Sequence, residues 1–134
     1  MIRVPGATAR VGLAALAVAL SVFSAGCSGS SSKAAGGGAP FSLKAKPVPT
    51  AQVDAPKSYK FVPAVVEVKA GTPVTWTNHD DFPHTVQVLF GADPATEQLG
   101  VGRTATLAFD RPGTVYYRCS LHPAQMKGEI VVTS

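Results

Sequence analysis

The sequence has little of what marks several large classes of protein. Its 134 residues hold no lysine and arginine block and no basic helical face, so nucleic-acid binding has nothing to rest on. Cysteine is scarce. Cys27 and Cys119 are the only two, in such unlike surroundings that pairing between them is not expected. No apolar stretch reaches the roughly 20 residues that a membrane-spanning helix needs. From Ala51 onward no segment sustains a 3.6-residue apolar period, which leaves no amphipathic helix around which to build a bundle. No nucleophile stands in a set with a general base, and no second metal cluster is legible, so an enzyme is not expected.

Charge is nearly balanced. The formal net charge is +4, but Arg3 and Arg10 lie in an N-terminal leader. Without them ten lysines and arginines face eight acids, a net +2. Met1 to Gly26 runs from two arginines through the apolar stretch Val11–Leu20 to small residues, the order of a secretory signal. Ser24-Ala25-Gly26-Cys27 then resembles the lipobox of bacterial lipoproteins. That resemblance implies lipidation of Cys27, which would become the mature N-terminus and anchor the protein to the outer face of the cell membrane. Ordinary cleavage would instead release a soluble secreted or periplasmic protein. Both outcomes place the rest of the chain outside the cytoplasm.

Residues 27–49 are rich in Ser, Gly, Ala and Pro and read as a lipidated N-terminus and flexible linker, stiffening into an extended arm at Pro47-Val48-Pro49. That leaves residues 50–134 for the folded domain. A domain of about 85 residues buries roughly 60–65% of its unfolded surface, enough to fold with little reserve. Short β-branched runs punctuated by Pro and Gly predict an all-β fold, a two-sheet β-sandwich of about eight short strands. The strands are expected at 52–54, 57–61, 65–69, 73–78, 84–90, 105–109, 114–119 and 128–133. The loop 91–104 is long and polar, with room for a short helical turn. Alternation places Val115, Tyr117 and Cys119 on one face, which points the Cys119 thiol into the protein.

The chemistry concentrates near the C-terminus. Cys119, His122 and Met126 offer a thiolate, an imidazole and a thioether within eight positions, all soft or borderline donors that suit copper and, less well, zinc. Cys119 and His122 are three positions apart on a tight loop, so both can face one atom. His84 lies 35 positions before Cys119 and must arrive on another strand. Two imidazoles and a thiolate with a long thioether contact make an electron-transfer copper site, and the methionine argues against zinc. The reading is one copper ion held by His84, Cys119, His122 and Met126. His79, in a polar loop with Asp80 and Asp81, reads as solvated. Asn78 reads as organising the turn before His84, and Trp76 and Tyr117 as core. Phe82, Pro83 and Pro123 flank the histidines, either as packing or as an apolar docking patch.

These residues, in order, resemble the cupredoxins, the small blue copper fold of plastocyanin, amicyanin and pseudoazurin. The likeness covers Val65 to Asn78, Phe82-Pro83-His84 and Tyr117 to Gly128. It implies His84, Cys119 and His122 as strong ligands of one type 1 copper ion and Met126 as the axial one. It also implies a one-electron carrier that serves redox partner proteins, here expected as a monomer. Two departures stand out. Three residues separate His122 from Met126, between the two of amicyanin-like loops and the four of plastocyanin-like ones. Thr85 follows the first histidine where the family often has Asn; its amide could donate to the Cys119 sulfur and its hydroxyl brace the ligand loop. The alternative function is copper handling, an extracytoplasmic chaperone or scavenger that uses the same donors.

Overall fold

The computed structural model describes residues 38–134; the leader and Cys27 lie outside them. Among the described residues nine strands form two sheets: β1 (Val48–Pro49), β2 (Gln52–Ala55), β3 (Val65–Lys69), β4 (Pro73–Asn78), β5 (His84–Phe90), β6 (Thr96–Leu99), β7 (Thr104–Ala108), β8 (Gly113–Arg118) and β9 (Lys127–Thr133). The larger sheet has the order β1-β3-β9-β8-β5-β6 and the smaller β2-β4-β7. The smaller sheet pairs β2 parallel and β7 antiparallel to β4. In the larger one β3 runs parallel to β9, and β8 is antiparallel to both β9 and β5. This is the expected β-sandwich.

Period-2 alternation builds the core. Val74 and Trp76 point inward from β4, Val86 and Val88 from β5, Val115 and Tyr117 from β8, and Ile130 and Val132 from β9; all are buried. Burial of these side chains drives the two sheets together. At Gly91 (φ +88°) the chain leaves β5 past the Thr114 carbonyl, where an added Cβ would stand 2.0 Å from that oxygen. No side chain fits there.

Three segments differ from the sequence-based expectation. Residues 57–61, expected as a strand, form turns instead. Ser58 N–H donates to the Pro56 carbonyl, Tyr59 adopts φ +52°, and pairing returns only as a bridge between Asp54 and Val62. Phe61 is buried as a strand residue would be, so apolarity alone was misleading. Thr96–Leu99, expected in the loop, is an edge strand on β5 and takes the place of any helical turn. It exposes three polar residues and buries only Leu99, which leaves no alternation to read. In the N-terminal arm, Val48–Pro49 pairs with β3. Ahead of it, Leu43 N–H donates to Glu129 and Phe41 meets Tyr116 edge-on at 5.4 Å.

Candidate metal centre

The first imidazole stands at the start of β5, and the turn before it is built around Asn78. The Asn78 amide donates to the carbonyls of Phe82 (2.8 Å) and Leu99 (3.0 Å), and its oxygen accepts the Asp80 N–H at 2.8 Å. Asn78 therefore organises the turn, as expected. Asp80 accepts the Asp81 N–H on one carboxylate oxygen and meets His84 Nε2 with the other at 3.0 Å, the pair being buried. Burial pushes the Asp80 carboxyl up. The hydrogen bonds from His84 and the Asp81 amide, with the nearby Lys57 charge, outweigh that and hold it below its ordinary value. An ionised carboxylate can only accept, so the His84 proton sits on Nε2 and the Nδ1 lone pair faces the site. His79 points away to Asp54 and is exposed.

The other donors come from the loop between β8 and β9. Cys119 follows β8 and is fully buried on the inner face. Two backbone bonds close the loop: Cys119 N–H to the Met126 carbonyl at 2.9 Å and Met126 N–H to the His122 carbonyl at 3.0 Å. The second spans four positions, so the three residues between His122 and Met126 form one turn. Pro123, which has no N–H to satisfy, opens that turn. Met126 is fully buried at its end.

The fold brings His84, Cys119 and His122 together. Both histidine Nδ1 atoms lie 3.8 Å from Cys119 Sγ, and the three donor atoms fall within 4.8 Å of one another. Metal bonds of about 2.0 Å to nitrogen and about 2.3 Å to sulfur place such donors about 3.5–3.9 Å apart at angles of about 110–130°. The donor set therefore fits a single soft or borderline ion. Thr85 N–H donates to Sγ at 3.3 Å, and its hydroxyl joins the Ser120 hydroxyl and accepts the Ser120 N–H, both at 2.8 Å. A side chain at the start of β5, where this chain departs from the family's usual Asn, thus braces the ligand loop.

Around the mouth, His122 is half-buried, while Phe82 (54%) and Leu121 (55%) are exposed. Pro83 and Pro123 are exposed beside them. Sequence reasoning missed two residues here. Asp80 read only as part of a polar loop, and its aim at His84 depends on the Asn78 turn. Tyr59 was placed in a strand, whereas its turn carries the ring to 4.7 Å from that of His122.

Comparison with known proteins agrees with this geometry. The family model for copper binding proteins of the plastocyanin/azurin family matches residues 49–133. Amicyanin-alpha from Methylorubrum extorquens is 36% identical over 124 residues, which span 88% of this chain and 96% of that protein. Among solved structures, a novel purple cupredoxin from Nitrosopumilus maritimus superposes with a TM-score of 0.56 at 29% identity, covering 63% of this chain and all of that one. A copper-containing nitrite reductase from Thermus scotoductus also reaches 0.56, at 32% identity, over 72% of this chain and 25% of that enzyme.

Proposed function

The chain belongs to the plastocyanin/azurin family of copper binding proteins, and we propose that it is an exported one-electron carrier in which His84, Cys119, His122 and Met126 would hold one copper ion. The observation that carries this reading is the convergence of two imidazole Nδ1 atoms on one buried thiol whose sulfur already accepts an N–H. Copper in such a set supplies one-electron transfer by passing between Cu(I) and Cu(II).

The protein's own residues prepare for that task. Thr85 N–H stabilises negative charge on Cys119 Sγ. Asp80 fixes the tautomer and orientation of His84. The donors sit on strands and a hydrogen-bonded loop packed into the core, so they can hold nearly the same positions in both oxidation states. Small rearrangement favours fast transfer. His122 is the half-exposed donor, ringed by Phe82 and Leu121, where a redox partner protein would dock.

The domain is read as a carrier and not an enzyme, since four protein ligands leave no open position on the ion. The likeness to the nitrite reductase covers a quarter of that enzyme, one part of it only. The N-terminal order of arginines, apolar run and small residues supports export from the cytoplasm. A lipid on Cys27, with the stretch ahead of Phe41 as its tether, would hold it at the outer membrane face; mass spectrometry of the mature N-terminus decides between this and free release.

The deciding experiment loads the purified mature protein with Cu(II) and records its visible spectrum. An intense thiolate-to-copper absorption that bleaches on reduction and returns on oxidation is expected, and should vanish in Cys119→Ala. A colourless protein that retains only Cu(I) would instead indicate copper handling and overturn the carrier reading.

A further inference from the structure

The two imidazoles that face Cys119 are held in different ways. His84 is buried, with Nε2 hydrogen-bonded to the Asp80 carboxylate. His122 has no such partner among the described residues. Its ring meets two others instead, His84 at 5.2 Å and Tyr59 at 4.7 Å with an interplanar angle of 50°.

Tyr59 comes from a separate loop and is placed with some care. Its ring stacks on Phe82 at 6.3 Å and meets His84 edge-on at 6.2 Å. The Lys57 ammonium pairs with Asp81 at 2.5 Å, tying this loop to the turn that aims Asp80 at His84. Tyr59 is also the one non-glycine residue with positive φ among the described residues, at +52°. That conformation is unfavourable for a side-chain-bearing residue and costs glycine almost nothing. A bulky residue kept in such a place points to a role for its side chain.

We propose that Tyr59 is a positioning residue for His122: its ring orients the imidazole so that Nδ1 faces Cys119 Sγ before the metal arrives, as Asp80 does for His84. The difference in device follows from exposure. At the half-exposed mouth an ion pair is weakened by water and salt. Ring-on-ring contact keeps water off the imidazole face and loses little to salt. The proposal rests on the copper reading above for its purpose, but the placement of the ring can be tested without copper.

The test compares Tyr59→Gly, which removes the ring and relieves the backbone, with Tyr59→Phe, which keeps the ring. The first measurement is the NMR spectrum of the metal-free protein. In Tyr59→Gly the His122 ring protons should move toward the positions of an unstacked imidazole, by more than those of His84, while amide dispersion shows an intact fold. The second is Cu(I) affinity by chelator competition, expected to fall about two- to tenfold in Tyr59→Gly. Tyr59→Phe should restore both. His122 resonances unchanged in Tyr59→Gly, or a Phe variant that behaves like the Gly one, would overturn the proposal. Parent protein that binds no copper, with the His122 shift still present, would sink the copper reading and leave the positioning role standing.

Discussion

Cys119 Sγ draws its surroundings from three directions: Thr85 N–H at 3.3 Å and the two histidine nitrogens at 3.8 Å. Asp80 stands one step behind, and its effect should be measurable. Asp80→Ala removes the acceptor that keeps the His84 proton on Nε2, so copper affinity should fall about 10–100-fold in chelator competition. The metal-free protein has its own signature. The Asp80 carboxyl is held below its ordinary value of 3.8, so the folded state binds that proton less readily than the unfolded chain. Its contribution to stability is therefore present above pH 3.8 and lost as pH falls through the lower folded value. Thermal melts of parent and Asp80→Ala should differ near neutrality and converge in acid; a gap that widens in acid contradicts this account. Deeper inside, burial pushes the Tyr117 phenol up, and its hydroxyl has no hydrogen-bond partner among the described residues. This tyrosine packs in the core between Trp76 and Phe61.

Strands and loops divide the work. β5 delivers His84 and Thr85 in succession, and their side chains take different tasks: one faces the metal site, the other braces the ligand loop. β8 and β9 carry the loop between them and are held in register up to the pair Arg118 and Lys127. The pair before it, Tyr117 opposite Gly128, is the tight point. The Tyr117 ring lies across Gly128, where an added Cβ would come 2.1 Å from a ring carbon. Gly128→Ala must displace a fully buried ring that packs on Trp76 and Phe61. Overpacking of this kind costs about 1–3 kcal/mol, to be read as a lower denaturation midpoint of the metal-free protein. An unchanged midpoint would mean that the ring has room to move. The glycine is plain in the sequence, but its reason is not, because the ring above it comes from the neighbouring strand.

For the molecule as a whole, the metal would join parts distant in sequence: a donor on β5 and a loop between β8 and β9, 35 positions further on. Copper that binds only the folded state stabilises it by mass action, about 4 kcal/mol at a free concentration a thousandfold above the dissociation constant. For a domain of this size that corresponds to a rise in melting temperature on the order of 15–30 °C. Calorimetry of metal-free, Cu(I)-loaded and chelator-stripped protein checks it, with stripping expected to restore the lower value. A rise of equal size in a Cys119→Ala, His122→Ala double variant would show that the ion binds elsewhere.

The sequence by itself determined the fold class, most of the strands and the donor chemistry. A period-2 pattern carries those strands, and thiolate, imidazole and thioether types are visible without coordinates. Cys-x-x-His is a local feature, and alternation along β8 placed its thiol inward. The loop residues Phe82 and Leu121 are open to solvent around His122, a matter of exposure that letters do not record. Other elements depended on long-range contacts. Thr96–Leu99 is a strand because β5 offers an edge, not because its own residues alternate. Residues 57–61 have strand-like composition, but a turn at Pro56–Tyr59 leaves Tyr59 in a left-handed conformation. Only the tertiary structure decided that Asp80 holds His84 and that Tyr59 lies against His122. Each of those contacts joins side chains through a turn whose direction is set by hydrogen bonds to other segments.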